Sequence, residues 1–459
     1  MDIMIDSKSF HLVTLGCAKN TVDSEAMGTI LINAGHRPSD SAEDADLVVV
    51  HTCGFIESAK QESIDALLQV TGARRPGQRV IAAGCLSERY PDDLATEIPE
   101  LDGLIGARNW ASIAQVVARL YETGEERQPG SSLRLMELAP PGDLDLEMLA
   151  RRASGPSAYL KISDGCDQKC AFCAIPGMKG LHRSKPKASI FREVEQLLRQ
   201  GVREAVLIGQ DTTRYGHDLG EREGLAHLLE EMCERFPELP WIRVMYAYPR
   251  HVTAPFLDVM RERSQICRYL DMPLQHLHPE TLRRMRRPHR DVEELIGWVR
   301  GQVPGIALRT TFIVGFPGET HAEVDYLCEA IQRIQFDRVG VFTYSDEEGT
   351  PAFEFAERVP ARLKRERRAR VMTLARKLSL SRNRAQVGQT LTVLIEGRGD
   401  DGASPVSVGR SYRDAPEVDG VVLVDGEHAI GELVETRVQR ALEYDLIGSP
   451  IPRPAVAAR

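Results

Sequence analysis

Short apolar runs and longer helical patterns alternate through most of this chain. The first series contains the runs His11–Gly16, Leu47–His51 and Arg79–Gly84, each too short for a helix. After them, Ser24–Ala34, Glu57–Val70 and Ser87–Ile98 space their apolar residues three and four apart. Strand then helix, repeated, predicts a parallel sheet covered by helices. A second series starts at Ala158–Ser163. It continues through Ala205–Gly209, Trp241–Tyr246, Arg268–Met272, Ala307–Val314 and Arg338–Thr343. Every gap is long enough for a crossover helix, so this half predicts a partial barrel of six βα units.

Three other stretches differ in texture. Thr123–Gly155 is rich in Gly, Pro, Glu and Arg and reads as a linker with one short helix near Leu144–Arg151. Ala361–Gln386 carries ten Lys or Arg and no proline, with Leu and Val at helical spacing. That is a long basic helix, read here as a solvated connector with polyanion contact as the alternative. Gly388–Ser449 breaks into Thr390–Glu396, Ser404–Gly409, Val421–Val424 and Ala429–Gln439, with turns such as Gly399-Asp400-Asp401-Gly402 between them. Short strands and frequent turns predict a small antiparallel β-barrel. The fold class is therefore α/β multidomain, divided at 8–122, 123–151 (linker), 152–383 and 384–452.

Composition narrows the class only by exclusion. The 459 residues are 42% hydrophobic and 27% charged, with a net charge of −9, which argues against a globally basic nucleic-acid binder. No apolar run reaches the roughly 20 residues that cross a bilayer. Met1–Ser9 lacks the basic patch and apolar core of a secretory signal, so a cytoplasmic setting is expected. In that reducing compartment nine cysteines point to metal or catalysis rather than disulfides.

Six of the nine stand in informative places. Cys166, Cys170 and Cys173 form a C-x3-C-x2-C motif just after the first barrel strand, where barrel active sites are built. Three thiolates can hold three irons of a [4Fe–4S] cube and leave the fourth open. S-adenosylmethionine (SAM) can chelate that iron, and an electron passed to its sulfonium releases a 5′-deoxyadenosyl radical. A structural zinc with His182 as fourth ligand is the alternative. Cys17, Cys53 and Cys85 each follow one of the N-terminal strand runs. Ligand sites of open parallel sheets lie beyond the carboxyl ends of the strands, so these three should converge. Helix N-termini close by would help offset cluster charge. Cys233, Cys267 and Cys328 lie in packing text and read as buried small residues.

Polar groups also mark the ends of the barrel strands: Gln210-Asp211-Thr212-Thr213, Tyr248-Pro249-Arg250, Gln275-His276 and Gly315-Phe316-Pro317-Gly318-Glu319. Together they outline a place for SAM, with Arg183 able to pair with its carboxylate. Taken singly, His276 reads as a structural histidine and Arg183 equally well as a surface ion pair.

With these motifs in view, the chain resembles the radical-SAM methylthiotransferases over nearly its whole length. The resemblance rests on Leu15-Gly16-Cys17-Ala18-Lys19-Asn20, Thr52-Cys53-Gly54-Phe55-Ile56, Ala83-Gly84-Cys85-Leu86 and Gly165-Cys166 through Cys173-Ala174-Ile175-Pro176. Met272-Pro273-Leu274-Gln275-His276 and Thr311 through Glu319 extend it. It departs at Ala18, where proline is common, and at Leu277-His278. One group of that family modifies an adenosine in transfer RNA; the other modifies an aspartate of ribosomal protein S12. Thr52–Ser63, Gln210–Gly216, Val341–Pro351 and Gly409–Gly420 are similar to the second group. The resemblance implies an N-terminal cluster domain, a radical-SAM core and a C-terminal TRAM barrel. It implies two [4Fe–4S] clusters, on Cys17, Cys53 and Cys85 and on Cys166, Cys170 and Cys173. It further implies two SAM per turnover and SAM contacts by Phe172, Arg183, Gln210, Asp211, Gln275, Gly315 and Glu319. The implied partners are S12 as substrate and an electron donor such as flavodoxin or ferredoxin, with no membrane and no nucleic-acid substrate.

Charge gives a separate reason to prefer a protein substrate. Gly388–Ser449 holds twelve Asp or Glu against five Arg, a balance of −7. An RNA-binding surface needs positive charge, whereas this one should attract a basic protein. Glu417 and Asp419, in the loop Asp414–Gly420, are the acids expected to face it.

Overall fold

The computed structural model describes residues 7–122, 135–138, 151–287, 291–400 and 405–452. The chain forms two compact units. One comprises Met1–Arg152, Lys161–Glu193 and Ser345–Glu354; the other comprises Ala153–Leu160, Val194–Tyr344 and Phe355–Arg459.

The first unit is built on a six-stranded parallel sheet. Its order is Arg37–Pro38, Ser9–Thr14, Leu47–Thr52, Arg79–Gly84, Gly103–Gly106 and Leu135–Glu137. Leu47–Thr52 lies near the middle and is buried along its whole length, as its apolar run Leu47–Val50 requires when both faces are covered. Two of the unpredicted strands, Arg37–Pro38 and Leu135–Glu137, are only two and three residues long, too short to show a period. Gly103–Gly106 is four residues and half glycine. The helix expected at Ser87–Ile98 is two helices, Cys85–Arg89 and Pro91–Glu97. Tyr90 precedes a proline and takes φ −133°, because the proline ring disfavours helical backbone at the residue before it. The first helix starts at Ala18, six residues ahead of the expected Ser24, and its opening turns bury Lys19, Asn20 and Asp23. Buried polar residues there hid the helix from a reading based on apolar spacing. The helix expected near Leu144–Arg151 lies outside the described residues apart from Arg151, as does the second half of the turn at Gly399–Gly402.

The second unit holds a six-stranded sheet in which sequence neighbours are spatial neighbours. Its strands are Ser157–Lys161, Glu204–Ile208, Trp241–Val244, Ile266–Asp271, Ala307–Val314 and Arg338–Thr343. Consecutive parallel strands joined by crossover helices form the expected partial barrel. The division between units passes through the first strand, after Leu160. The helix Ala361–Arg384 buries Arg367, Val371, Ala375, Ser379 and Asn383 along one stripe. The last five strands, Thr390–Asp400, Pro405–Ser411, Val422–Asp425, Leu433–Ala441 and Leu446–Pro450, close into a barrel. It is antiparallel except where Val422–Asp425 runs parallel to Leu446–Pro450. Closure leaves no unpaired edge.

A buried ion knot ties this barrel to the six-stranded sheet. Glu204, with 0% side-chain exposure, accepts Arg243 Nε at 2.7 Å and also binds Arg410. Arg243 reaches on to the Tyr412 carbonyl at 2.7 Å. Burial alone would raise the Glu204 carboxyl, but the two guanidinium groups outweigh it and hold it at about 2. Replacing Glu204 by Ala leaves Arg243 without a carboxylate and Arg410 with Glu396 alone, which should cost about 3–5 kcal/mol and lower the Tm in calorimetry. The sign with pH follows from the depressed value. The Glu204 contribution is complete above the ordinary carboxylate range near 4.5 and is lost as pH falls towards 2. Glu204→Gln should lack that acid limb.

Candidate functional site

The three N-terminal cysteines meet because three turns approach backbone to backbone. Cys17 caps the helix Ala18–Asn33 in extended conformation, Cys53 follows the strand Leu47–Thr52, and Cys85 opens the helix Cys85–Arg89. Glycines sit at each contact. A Cβ on Gly16 would stand 2.8 Å from Cys53 Cβ and 3.2 Å from its Sγ. One on Gly54 would stand 2.8 Å from the Cys85 carbonyl carbon and oxygen. One on Gly84 would come within 2.6 Å of both the His51 ring and the Thr52 carbonyl oxygen. Asn20 Nδ2 donates to the Leu15 and Thr52 carbonyls at 2.7 and 3.2 Å, and Ser63 Oγ accepts from Cys53 N at 2.9 Å.

The second cysteine loop folds in the same unit. Gly165, at φ +74°, brings its Cα against the Leu181 carbonyl oxygen, 2.0 Å from where a Cβ would be, and Cys166 N donates to the Gly180 carbonyl at 3.1 Å. Cys170 is buried, and Cys166 and Cys173 are half-buried. Phe172 lies inside this loop, and Arg183 pairs along Asp164 in a two-stranded ribbon just beyond it. The residues after Cys173 pack on the first trio: Cys85, Ala107 and Met178 form a small core joined by Phe55, Ala174 and Ile175. No disulfide joins any of the nine cysteines, and Cys233, Cys267 and Cys328 are buried.

Charge beneath the trios is tightly paired. Lys179 Nζ lies 3.3 Å from Asp23, 3.7 Å from Asp164 and 3.2 Å from the Ala107 carbonyl. Lys161 binds Asp23 and lies 3.1 Å from Asp164. Burial pushes the Cys53 thiol up to about 11 and the Cys85 thiol up to about 12, and Lys179 opposes both shifts. Thiols in such a place ionise only when a metal takes the proton's place.

The strand-end residues of the second unit are more committed to the protein itself. Asp211 binds His251 Nδ1 at 2.9 Å and Thr213 Oγ1 at 2.6 Å. Gln210 sits half-buried beside it. Gln275 takes φ 72° and is bonded on both sides of Phe312, through Thr311 O at 2.8 Å and Ile313 N at 2.7 Å. Gly315 N donates to Glu319, whose carboxylate also lies 3.4 Å from Arg367. Burial lifts Glu319 to about 7 despite these partners. His276 is fully buried and pushed down to about 3, so it is a neutral internal ring.

Among the described residues no three His, Cys, Asp or Glu side chains are grouped to share a single metal ion. A cube differs, because each thiolate takes its own iron and the sulfurs stand further apart. The chain matches three family models: uncharacterized protein family UPF0004 over 9–106, the radical SAM superfamily over 160–331 and the TRAM domain over 387–451. It is 47% identical to the ribosomal protein uS12 methylthiotransferase RimO of Roseiflexus sp. (strain RS-1), covering 98% of each chain. The chain belongs to the uS12 methylthiotransferase family. It is accordingly a radical-SAM methylthiotransferase. The like-named protein of Chloroflexus aurantiacus is 45% identical over 96% of this chain and 99% of its own. In fold, the chain is similar to a radical SAM methyltransferase, TsrM of Kitasatospora setae, with TM-score 0.58, 16% identity, and 75% and 74% of the chains covered. That protein was solved with cobalamin and a [4Fe-4S] cluster.

Two features of this methylthiotransferase correct or extend the sequence reading. Asp419 does not face solvent: its carboxylate is 2% exposed and accepts Tyr269 Oη at 2.6 Å and Ala415 N at 2.9 Å. Nor does Asp414, which binds Arg338 and Ser411. Of the two acids singled out, only Glu417 is exposed. The buried charges Lys161, Lys179, Asp23 and Asp164 were missed. The one hint was polar residues at otherwise apolar positions of a helix and a strand. Gly84→Ala should pry the Cys85 turn from His51 and Thr52, at a cost on the order of 1–3 kcal/mol. In metal-free protein, Cys85 alkylation should then speed up about tenfold, since 1.4 kcal/mol is a factor of ten in local opening. An unchanged alkylation rate would contradict the interlock.

Proposed function

We propose that this enzyme places a methylthio group on the β-carbon of an aspartate of ribosomal protein S12, consuming two SAM per turnover. The observation that supports it most is 47% identity, over 98% of both chains, to a relative named for uS12 methylthiolation. In this reading Cys17, Cys53 and Cys85 hold one [4Fe–4S] cluster and Cys166, Cys170 and Cys173 hold another, leaving one iron of each cube open. Two sets of three thiols within one compact unit suit that pair of cubes. When bound, the second cluster supplies the electron that splits the SAM sulfonium and so gives a radical able to take hydrogen from an unactivated carbon.

The protein's own groups then do definable work. Lys179 sets a buried positive charge against Cys85 and Cys17, where an anionic cluster needs one. Cys17 stands at the head of a 16-residue helix, whose amide dipoles favour negative charge. Arg183, one ribbon beyond the second trio, is assigned to the SAM carboxylate, and Phe172 to its surroundings. The reductant is assigned to the flavodoxin or ferredoxin class. Among the described residues no helix is long and apolar enough to cross a membrane.

Protein purified without oxygen should carry about eight irons, falling to about four when Cys17, Cys53 and Cys85 are replaced together. That triple variant should still release 5′-deoxyadenosine from SAM, whereas Cys166→Ala, Cys170→Ala or Cys173→Ala should not. With SAM and reductant, the intact enzyme should add the mass of one methylthio group in place of hydrogen to S12 and none to transfer RNA. Labelled transfer RNA with S12 untouched would overturn the substrate, and equal behaviour of the two cysteine sets would overturn the division between clusters.

A further inference from the structure

Ser345–Glu354 follows the last strand of the six-stranded sheet, yet it packs in the unit that holds all six site cysteines. Its centre is Glu347, whose side chain is 2% exposed and lies between two cations, Arg89 Nη1 at 2.6 Å and Lys60 Nζ at 3.1 Å. Arg89 ends the helix that Cys85 begins. The same guanidinium donates to the Gly54 carbonyl at 2.9 Å, one residue past Cys53, and to the Glu348 carbonyl at 2.7 Å. Ser345 Oγ accepts Glu57 N at 3.1 Å, at the start of the helix after Cys53, and donates to Glu347 at 2.6 Å. Thr350 turns the chain back with its hydroxyl on the Glu347 carbonyl at 2.7 Å. Two residues later Ala352 N donates to the Ala171 carbonyl at 2.8 Å, between Cys170 and Cys173.

We propose that Ser345–Glu354 is a positioning strap that sets the separation of the two cysteine trios, with the Glu347–Arg89 pair as its fixed point. The proposal rests on the two-cluster reading above. One end of the segment grips the turns of Cys53 and Cys85, and the other grips the loop of Cys170 and Cys173. The grip is stiff, because a buried carboxylate shared by two cations and a planar guanidinium with three acceptors have few alternative geometries. Stiffness matters for a reaction that joins a group prepared at one cluster to a radical generated at the other. A displacement near 1 Å can cost about a hundredfold in rate when reacting atoms must stand in near-attack geometry. SAM cleavage involves the second trio alone, so it does not depend on that separation. Glu347 is therefore a positioning residue: it touches neither trio directly.

The test uses full-length, anaerobically loaded Glu347→Gln beside Glu347→Asp and the parent protein. Glu347→Gln should keep about eight irons and form 5′-deoxyadenosine within about twofold of the parent, while methylthiolated S12 falls about tenfold or more. Glu347→Asp, which keeps the charge, should recover part of that loss. In the doubly reduced protein, the electron-paramagnetic-resonance broadening that one cluster imposes on the other should weaken in Glu347→Gln. A parental ratio of methylthiolated S12 to 5′-deoxyadenosine, or iron lost in proportion to product, would overturn the strap. Parent protein that cleaves SAM yet leaves S12 unmodified would instead overturn the substrate reading, and the resonance comparison would still decide the strap. Parent protein holding a single cluster would overturn both.

Discussion

Gly84 has no side chain, and the space a methyl group would take is filled by the His51 ring and the Thr52 carbonyl. That close approach, repeated at Gly16 and Gly54, is what lets three turns from distant parts of the chain share one edge. A parallel sheet brings strand ends to the same side, but neighbouring strands still stand almost 5 Å apart, with side chains adding more. Only glycine lets the backbone close the remaining distance without displacing its neighbour. The strand order follows from this need, because Ser9–Thr14, Leu47–Thr52 and Arg79–Gly84 are adjacent and in register. Inserting a strand between any two of them would separate the cysteines.

Four buried charges are the second condition, and they are costly unless matched. Lys161 and Lys179 stand opposite Asp23 and Asp164, with side chains at most 3% exposed. Isolated, each would pay several kcal/mol of desolvation, so they persist only as a set. The set is neutral in sum yet not symmetric in place. Lys179 favours the ionised Cys85 thiol, whereas Asp164 opposes it. His51, pushed down to about 4 and bonded to Ser24, adds no charge to this set. A purely apolar floor would pack as well but would leave ionised sulfur with nothing opposite it.

The sequence was legible where a period or a spacing carries the physics. Ala307–Val314 and Arg338–Thr343 appear with the expected bounds, since short β-branched and apolar runs between turn signals have few other readings. The three N-terminal cysteines were legible as neighbours because parallel strand ends converge. The remainder depended on partners far apart in the chain. Arg89 reads as a residue in the first turn of the helix expected at Ser87–Ile98, and only the fold brings it 258 positions along the sequence to Glu347. Asp23 lies just outside the helix expected from Ser24, and nothing in its neighbours points to Lys161, 138 positions later. Tyr90 shows a third kind of difference, in which one proline outweighs an apolar period that runs straight through it.

The C-terminal barrel shows why a count of charges is a weak guide to a surface. Several of the acids that make its balance −7 are framework: Asp414 holds Arg338, Asp419 holds Tyr269, and Glu396 with Glu204 holds Arg410. Buried partners cancel at contact distance and project little field outward. Among the described residues, the exposed charges from Gln389 to Ser449 are Glu417, Asp425, Glu427, Glu435 and Glu443 against Arg398, Arg437 and Arg440. Exposed charge of this kind is screened within about 8 Å at physiological salt. It can bias encounter with a basic protein but cannot by itself separate a protein from an RNA. Selection between them must lie mainly in contacts made after docking, where the substrate's reactive carbon has to reach the radical. That demand returns the problem to geometry at the cysteine-bearing turns, where a few ångströms of backbone separation are set by glycines and one buried carboxylate.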